Sequence, residues 1–380
     1  MPRGPLSGTL VLDLTRVLAG PYCTLLLLDL GARVIKVEAP GSGDDARRIG
    51  PFVGGSSAYF LSLNRGKESI ALDLKAAPDR EIFERLLARA DVLVENFRPG
   101  VMERLGYGFE ALHPRFPGLV YAATSGFGRT GPEAGRPAYD IVVQAMGGLM
   151  SLTGQPGGPP TRVGTSIGDI AAGLFTAVGI QAALLARHGD GAGRLVDVAM
   201  LDAQVAILEN AIARYVATGQ VPGPLGSRHP SIAPFEAFAT GDRFLVVAAG
   251  NDLLFERLCR AVARPELARD PRFASNESRT QHADALKREL EAALAARSAA
   301  EWAARLEAAG VPCGPVNDVA QVLSHPQVRA RNMVVTAGEM ALAGNPIKLS
   351  GFEDPATRPP APALDEGRAR ILAELAEGSL

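Results

Sequence analysis

Cysteine is scarce in this sequence, and neither sign of charge is in excess. Cys23, Cys259 and Cys313 stand far apart in 380 residues, and none belongs to a C-x-x-C pair. An odd, scattered set of this kind excludes a disulfide framework or a zinc site and makes a reducing cytoplasm the expected compartment. The formal net charge is −2, from 39 basic and 41 acidic residues, so the charge balance does not call for nucleic acid as a partner. Near the start, the apolar run Leu25-Leu26-Leu27-Leu28 lies between Gly20-Pro21 and Asp29. It is far too short to span a bilayer, and no membrane partner is expected. Asp13 and Arg16 interrupt the pattern that a signal peptide needs. Low-complexity tails and internal repeats are absent. The single tryptophan, Trp302, sits on an amphipathic helical pattern and reads as core.

The chain contains enough apolar residues, 47% against 21% charged, to build one large or two ordinary globular domains. Six apolar runs read as strands: 9–14, 33–38, 69–74, 91–97, 119–123 and 194–198. Helical patterns over 22–30, 79–90, 139–150 and about 169–187 alternate with them, and another runs from Leu201 to about Thr218. Such alternation argues an α/β fold with an open parallel sheet, whose ligands sit beyond the C-terminal ends of the strands. The loops around Leu18-Ala19-Gly20, after Glu38, over 96–100 and over 125–128 are therefore candidates for one site. Composition changes after Gly219, and a smaller α+β domain is expected over 221–329. It starts with a strand at 243–249 followed by helices near 253–263, 282–297 and 299–309.

One stretch concentrates the chemistry: Gly164-Thr165-Ser166-Ile167-Gly168-Asp169 running into a long, almost charge-free helix. Asp at a helix start commonly caps free backbone N–H groups. The other reading is a nucleophilic carboxylate, kept ionised by the helix N-terminus and approached by substrate across the small Gly168. Two further motifs fail on context. Gly126-Phe127-Gly128-Arg129-Thr130-Gly131 matches G-x-G-x-x-G, but Pro132, Gly135 and Pro137 follow where a helix should open. The G-x-S-x-G of 164–168 lacks the buried strand that a nucleophile elbow requires. Arg98 and Arg104 flank a turn where phosphate could bind. Arg228 and His229 lie in a Gly/Pro-rich loop.

Taken together, several segments resemble family III CoA-transferases, the group that includes formyl-CoA:oxalate and carnitine CoA-transferases. They are 12–21, 34–38 with 41–44, 63–67, 91–100, 126–128, Gly168-Asp169, Gly250-Asn251 and 311–316. Within that group 59–67 and 226–238 are most similar to enzymes that move CoA from succinyl-CoA to other dicarboxylates. The resemblance implies a Rossmann-like large domain of residues 1–220 to which 330–380 return, and an interlocked homodimer. It also implies acyl-CoA and small carboxylic acids as substrates, with CoA as substrate and product and no metal or resident cofactor. By family position Asp169 is the nucleophile, and Val17, Leu72, Asn96, Phe97, Arg104 and Tyr139 lie along the CoA site. Leu18 and Ala19 adjoin it, and backbone N–H groups near Gly126, Gly128 and Gly168 are candidate oxyanion donors. Arg47, Arg48, Arg228 and His229 are candidates to hold the far carboxylate of a dicarboxylic acid. Leu18 stands where the formyl-CoA enzyme has Gln, and Ala39 where it has Arg; together the departures point away from oxalate as acceptor and from one contact to the CoA nucleotide. The Gly-rich small-domain loop of that enzyme is also missing. The superfamily includes α-methylacyl-CoA racemase, which uses a His where this chain has Tyr139-Asp140 and a Glu near Asn251. Lacking both, the chain is expected to be a poor racemase. A CoA-binding protein without turnover is the non-enzymatic alternative.

Overall fold

The six apolar runs form one sheet; the first five are buried along nearly their whole length, as parallel strands covered by helices must be, and the last is a partly exposed edge strand. In the computed structural model, which describes residues 4–380, they are β1 (Leu10–Asp13), β2 (Arg33–Glu38), β3 (Glu68–Ala71), β4 (Val92–Glu95), β5 (Val120–Ser125) and β6 (Leu195–Ala199). All neighbours pair in parallel, in the order β3-β2-β1-β4-β5-β6. This is the doubly wound order, and its direction reverses between β1 and β4. The expected open parallel sheet is therefore present, with every strand end within three residues of the expected one.

Helices cover both faces. On one side α1 (Ala19–Asp29) and α6 (Ile167–Asp190) pack on Val11, Val34, Val94 and Ala122. On the other, α3 (Ala77–Leu87) and the C-terminal helix Arg368–Glu377 close over Leu12, Ile35, Ile70 and Tyr121. The C-terminal helix is docked by backbone bonds: Gly367 N–H donates to Ser69 O at 2.8 Å, and Ala71 N–H to Asp365 Oδ1 at 2.7 Å. By length and composition α6 is apolar enough to cross a membrane, yet it packs on α1, β5 and β6. Shorter helices are α2 (Ala58–Asn64), α4 (Val101–Leu105), α5 (Asp140–Met146) and α7 (Met200–Ile207).

The chain divides into two compact units. One takes the chain up to Ser151, Arg162–Pro222 and Pro326–Leu380; the other takes Leu152–Thr161 and Gly223–His325. The segment Leu152–Thr161 is Gly/Pro-rich, but the expected domain boundary near 220 did not assign it to the second unit. The second unit has a three-stranded antiparallel sheet, Phe235–Ala239, Phe244–Ala248 and Cys313–Pro315. Its core gathers Phe238, Leu245, Val247, Phe255, Leu290, Leu306 and Trp302, whose indole N–H donates to Leu294 O.

Three sequence-based helices change shape. The helix expected over 139–150 is α5 plus a separate turn, Leu149–Leu152. The one expected over 201–218 breaks at Glu209, whose φ is 53°, into α7 and Asn210–Thr218. The long helix begins at Ile167, two residues before Asp169. The strand Phe235–Ala239, directly after the Gly/Pro-rich loop, is an addition to the expected elements.

Candidate active site

Where the sheet order reverses, the ends of β1, β4 and β5 leave a cavity of about 230 Å³. It is lined by Arg16–Ala19, Asp45, Asn96–Pro99, Thr124–Gly126, Arg136–Tyr139, Asp169 and Met200. Ligands of open α/β sheets bind at this position.

Asp169 reaches the cavity through two close approaches. A Cβ on Gly173 would stand 2.6 Å from Ala19 O, so only glycine lets α6 come this near the start of α1. Asp169 lies one turn earlier on the same face. A Cβ on Gly168 would meet Gln204 Nε2, Val143 Cγ2 and Asp140 Oδ1 at 2.9 to 3.0 Å. Gly168 is thus buried and small for packing, not an open approach for substrate. Its N–H donates to Asp140 Oδ1 at 2.8 Å, so it is not free to receive an oxyanion. The Gly128 N–H is likewise spent on Ser125 Oγ at 3.0 Å.

Asp169 is not a cap. The orphan amide that it might have capped is taken by Asp140, whose Oδ2 accepts from Gln144 Nε2 at 2.7 Å. Among the described residues no hydrogen bond or ion pair engages the Asp169 carboxylate. Burial pushes its pKa up, and the nearby Asp140 charge adds to this, to about 7. The carboxyl is thus raised above its ordinary acidic range by desolvation, with the Asp140 charge adding to it. An unpaired, partly buried carboxylate is costly to fold around, and one facing a cavity with a perturbed pKa marks a functional site. Its field is also felt at Tyr59, whose hydroxyl is pushed up to about 12 by burial and then by Asp169, Asp44 and Asp140.

The loop between β1 and α1 faces this carboxylate. Asn96 accepts from Arg16 N–H at 2.8 Å and donates to Arg16 O at 2.8 Å. Its amide is therefore occupied in holding the loop rather than a ligand. Val17 N–H donates to Asp44 Oδ1 at 3.0 Å, and Val17 has φ 67°, an outlier for a β-branched residue. The kink presents the first residues of α1 to the cavity. Among the described residues no acceptor engages the N–H groups of Leu18 or Ala19, which leaves them as donors at a positive helix end.

The other expected site residues divide into two groups. Phe97, Gly126 and Tyr139 line the cavity with Val17, Leu18, Ala19 and Asn96. Gly126 is needed there because a Cβ would collide with Ala138 Cβ at 2.4 Å. Leu72 is instead buried in the sheet's core. Arg104 is exposed on α4, outside the cavity lining. The four candidates for the far carboxylate are all engaged elsewhere. Arg47 is held by Glu38, at 2.6 and 2.8 Å, with Phe60 beneath it. Arg48 pairs with Asp45 at 2.7 Å. Arg228, in the second unit, pairs with Glu236 at 3.0 Å and Asp284 at 2.8 Å. His229 accepts from Ser231 N–H at 3.1 Å through Nδ1 and packs on Phe235. Three arginines line the cavity: Arg98, expected there from the 96–100 loop, and Arg16 and Arg136, which were not expected. Arg16 lies over the Phe97 ring and pairs with Asp45, and Arg136 pairs with Glu133. Arg98 is exposed and has no ion-pair partner among the described residues. The usable signal was positional, since all three lie in loops beside the C-terminal strand ends.

A switch-point cavity with an unpaired aspartate at a Gly-Asp helix start is accompanied by a match over almost the whole chain. The family model for CoA-transferase family III matches residues 6–368. The chain belongs to this family. Acetyl-CoA:oxalate CoA-transferase of Acetobacter aceti is 52% identical over 99% of this chain and 97% of its own length. Succinyl-CoA:glutarate CoA-transferase of Mus musculus is 40% identical over 98% and 86%. The crystal structure of a CAIB/BAIF family protein from Brucella suis superposes with TM-score 0.89 at 40% identity, covering 98% of this chain and 100% of that one. The relative named for oxalate is thus more similar than the one named for glutarate.

Proposed function

We propose that this family III CoA-transferase exchanges CoA between an acyl-CoA and a small dicarboxylic acid through covalent intermediates on Asp169. The observation that supports this is the unpaired Asp169 carboxylate lining the same cavity as Leu18 and Ala19, the first residues of α1. Asp169 attacks the thioester carbonyl, the C–S bond breaks, and CoA thiolate leaves an aspartyl–acyl anhydride. The thiolate then attacks the aspartyl carbonyl, which releases the donor acid and leaves an aspartyl–CoA thioester. The acceptor carboxylate attacks that thioester to give a second anhydride. CoA thiolate takes the acceptor acyl group and restores Asp169. Covalent catalysis replaces one difficult exchange with four easier acyl transfers, and none of them needs a metal or redox group. Each passes through an oxyanion, which the Leu18 and Ala19 amides are placed to receive. Arg16, Arg98 and Arg136 supply cations at the cavity for CoA phosphates or a distal carboxylate.

Dicarboxylates are our reading of the acceptor because the relatives' names include oxalate and glutarate. Acetyl-CoA and succinyl-CoA are the donors to compare. A homodimer, seated partly on α6, is our reading of its exposed apolar face, where Leu174, Phe175, Val178 and Leu185 are uncovered. A monomeric mass in light scattering would overturn it. The three cysteines are free thiols, in keeping with a reducing cytoplasm as the proposed compartment. The covalent route is tested by mixing the protein with acyl-CoA, quenching with hydroxylamine and mapping peptides. A hydroxamate at Asp169 is expected. Turnover with no adduct there would rule the route out, and α-proton exchange on a branched acyl-CoA would favour racemase chemistry.

A further inference from the structure

The motif Asn64-Arg65-Gly66-Lys67 and the buried end of β1 take no part in the steps above. Lys67 Nζ is fully buried and donates to four oxygens on three elements. They are Asp13 Oδ2 at 2.9 Å, Thr24 Oγ1 at 2.8 Å, Asn64 Oδ1 at 2.9 Å and Pro21 O at 3.1 Å. Pro21 and Thr24 are on the first turns of α1, Asp13 ends β1, and Asn64 ends α2. Asp13 Oδ1 in turn accepts both the N–H (2.9 Å) and the hydroxyl (2.5 Å) of Thr15. A second buried ammonium, Lys36, donates to Thr15 O at 2.7 Å and pairs with Asp44 at 2.9 Å, the residue that takes the Val17 N–H. The kinked segment from Thr15 to Ala19 is therefore tied at both ends to one buried charge cluster. Lys67 and Thr24, whose hydroxyl donates to Asp13 Oδ2 at 2.7 Å, together join β1 to the helix start.

We propose that Lys67 is a positioning residue for acyl transfer: by clamping Asp13 to the first turns of α1 it fixes the Leu18 and Ala19 amides opposite Asp169. The inference rests on the covalent reading given above. Lys67 itself touches no substrate and moves no proton; it sets where the oxyanion donors stand, and donors held in place before reaction are the effective ones. The charged and titratable groups around it are Asp13 on β1, Lys36 on β2, Asp44 in the following loop and Cys23 on α1. Burial pushes the Lys67 ammonium down, Asp13 opposes this and Lys36 adds to it, to about 8. The clamp accordingly loses its charge as pH rises through about 8, and a purely structural lysine would leave no such mark on kcat.

The test compares wild type, Lys67→Met and the double variant Asp13→Asn/Lys67→Met, which leaves neither an unpaired carboxylate nor an unpaired ammonium at this contact. Folding is followed by circular dichroism, and the Asp169 adduct by hydroxylamine trapping. In the folded double variant kcat and the rate of adduct formation should fall about 100-fold, with KM for acyl-CoA changed less than about threefold. Wild type should show an alkaline fall in kcat near pH 8 that the double variant lacks. Wild-type rates in a folded variant, a KM that rises in step with the loss, or an alkaline limb that persists would overturn the proposal. If both variants fail to fold, the wild-type kcat profile decides, and the absence of an alkaline limb would be fatal. A wild type that turns over with no Asp169 adduct would instead remove the covalent reading on which the positioning role rests.

Discussion

Asp13, at the end of β1, is fully buried and touches two threonine hydroxyls and the Lys67 ammonium. Asp169, in the first turn of α6, borders a cavity and has Asp140 as its nearest charged influence. Both are carboxylates of the same unit, and burial tends to raise both pKa values. At Asp13, Lys36, Lys67, Thr15 and Thr24 together overcome that tendency and hold the group well below the usual carboxylate range. At Asp169 nothing opposes it, and the group rises to about 7. Pairs of groups whose surroundings push their pKa values apart usually have different tasks. One carboxylate is spent on holding structure, and the other is left unpaired beside the cavity.

The largest test of that contrast is Asp169→Ala, which should lower turnover by more than about 1,000-fold while the protein stays folded and binds CoA. Steady-state kinetics with calorimetric CoA binding would check it, and retained turnover would erase the difference between the two sites. The reverse is expected for Asp13→Ala. Removing one partner of a buried ion pair should cost about 3–5 kcal/mol of stability, visible as a lower urea midpoint. A variant as stable as wild type would mean that the cluster does not depend on this carboxylate.

The pH dependence separates the two further. The Asp169 carboxyl must be ionised to attack, so kcat/KM should fall about tenfold per pH unit below about 7. Asp13, with its lowered pKa, stays charged throughout that range. A flat profile between pH 5 and 8 would show that Asp169 has an ordinary acidity in solution. The smallest effect concerns stability. A carboxyl raised from 3.8 to about 7 contributes stability that is present below its unfolded pKa and lost as pH rises through 7. Asp169→Asn escapes that loss. It should exceed wild type by about 2 kcal/mol at pH 8, roughly half the full linkage value because the group faces solvent. The gain should vanish near pH 4. Melting curves at the two pH values would show it, and equal gains at both would contradict the assignment.

Much of the sheet was legible because strands buried on both faces need continuous apolar runs, as at 9–14, 33–38 and 119–123, whereas the partly exposed edge strand at 194–198 carries Arg194 and Asp197. Asp169 was legible from Gly168-Asp169 at the head of a charge-free helix, together with the family resemblance. The roles of its neighbours were not. Gly168 reads as flexible in sequence and is a packing glycine in space. Arg47 reads as free for an acid and is held by Glu38, nine residues earlier. Asn96 reads as a ligand contact and locks Arg16, 80 residues away.

The sequence by itself determined the alternation of strands and helices, the family and the residue at the centre of the site, because periodicity and motif are local. Only the tertiary structure decided which charges are spent and which are left over. Desolvation and pairing depend on groups far apart in the chain, such as Asp13 and Lys67 or Asp140 and Gly168, and folding brings those partners together and leaves Asp169 without one.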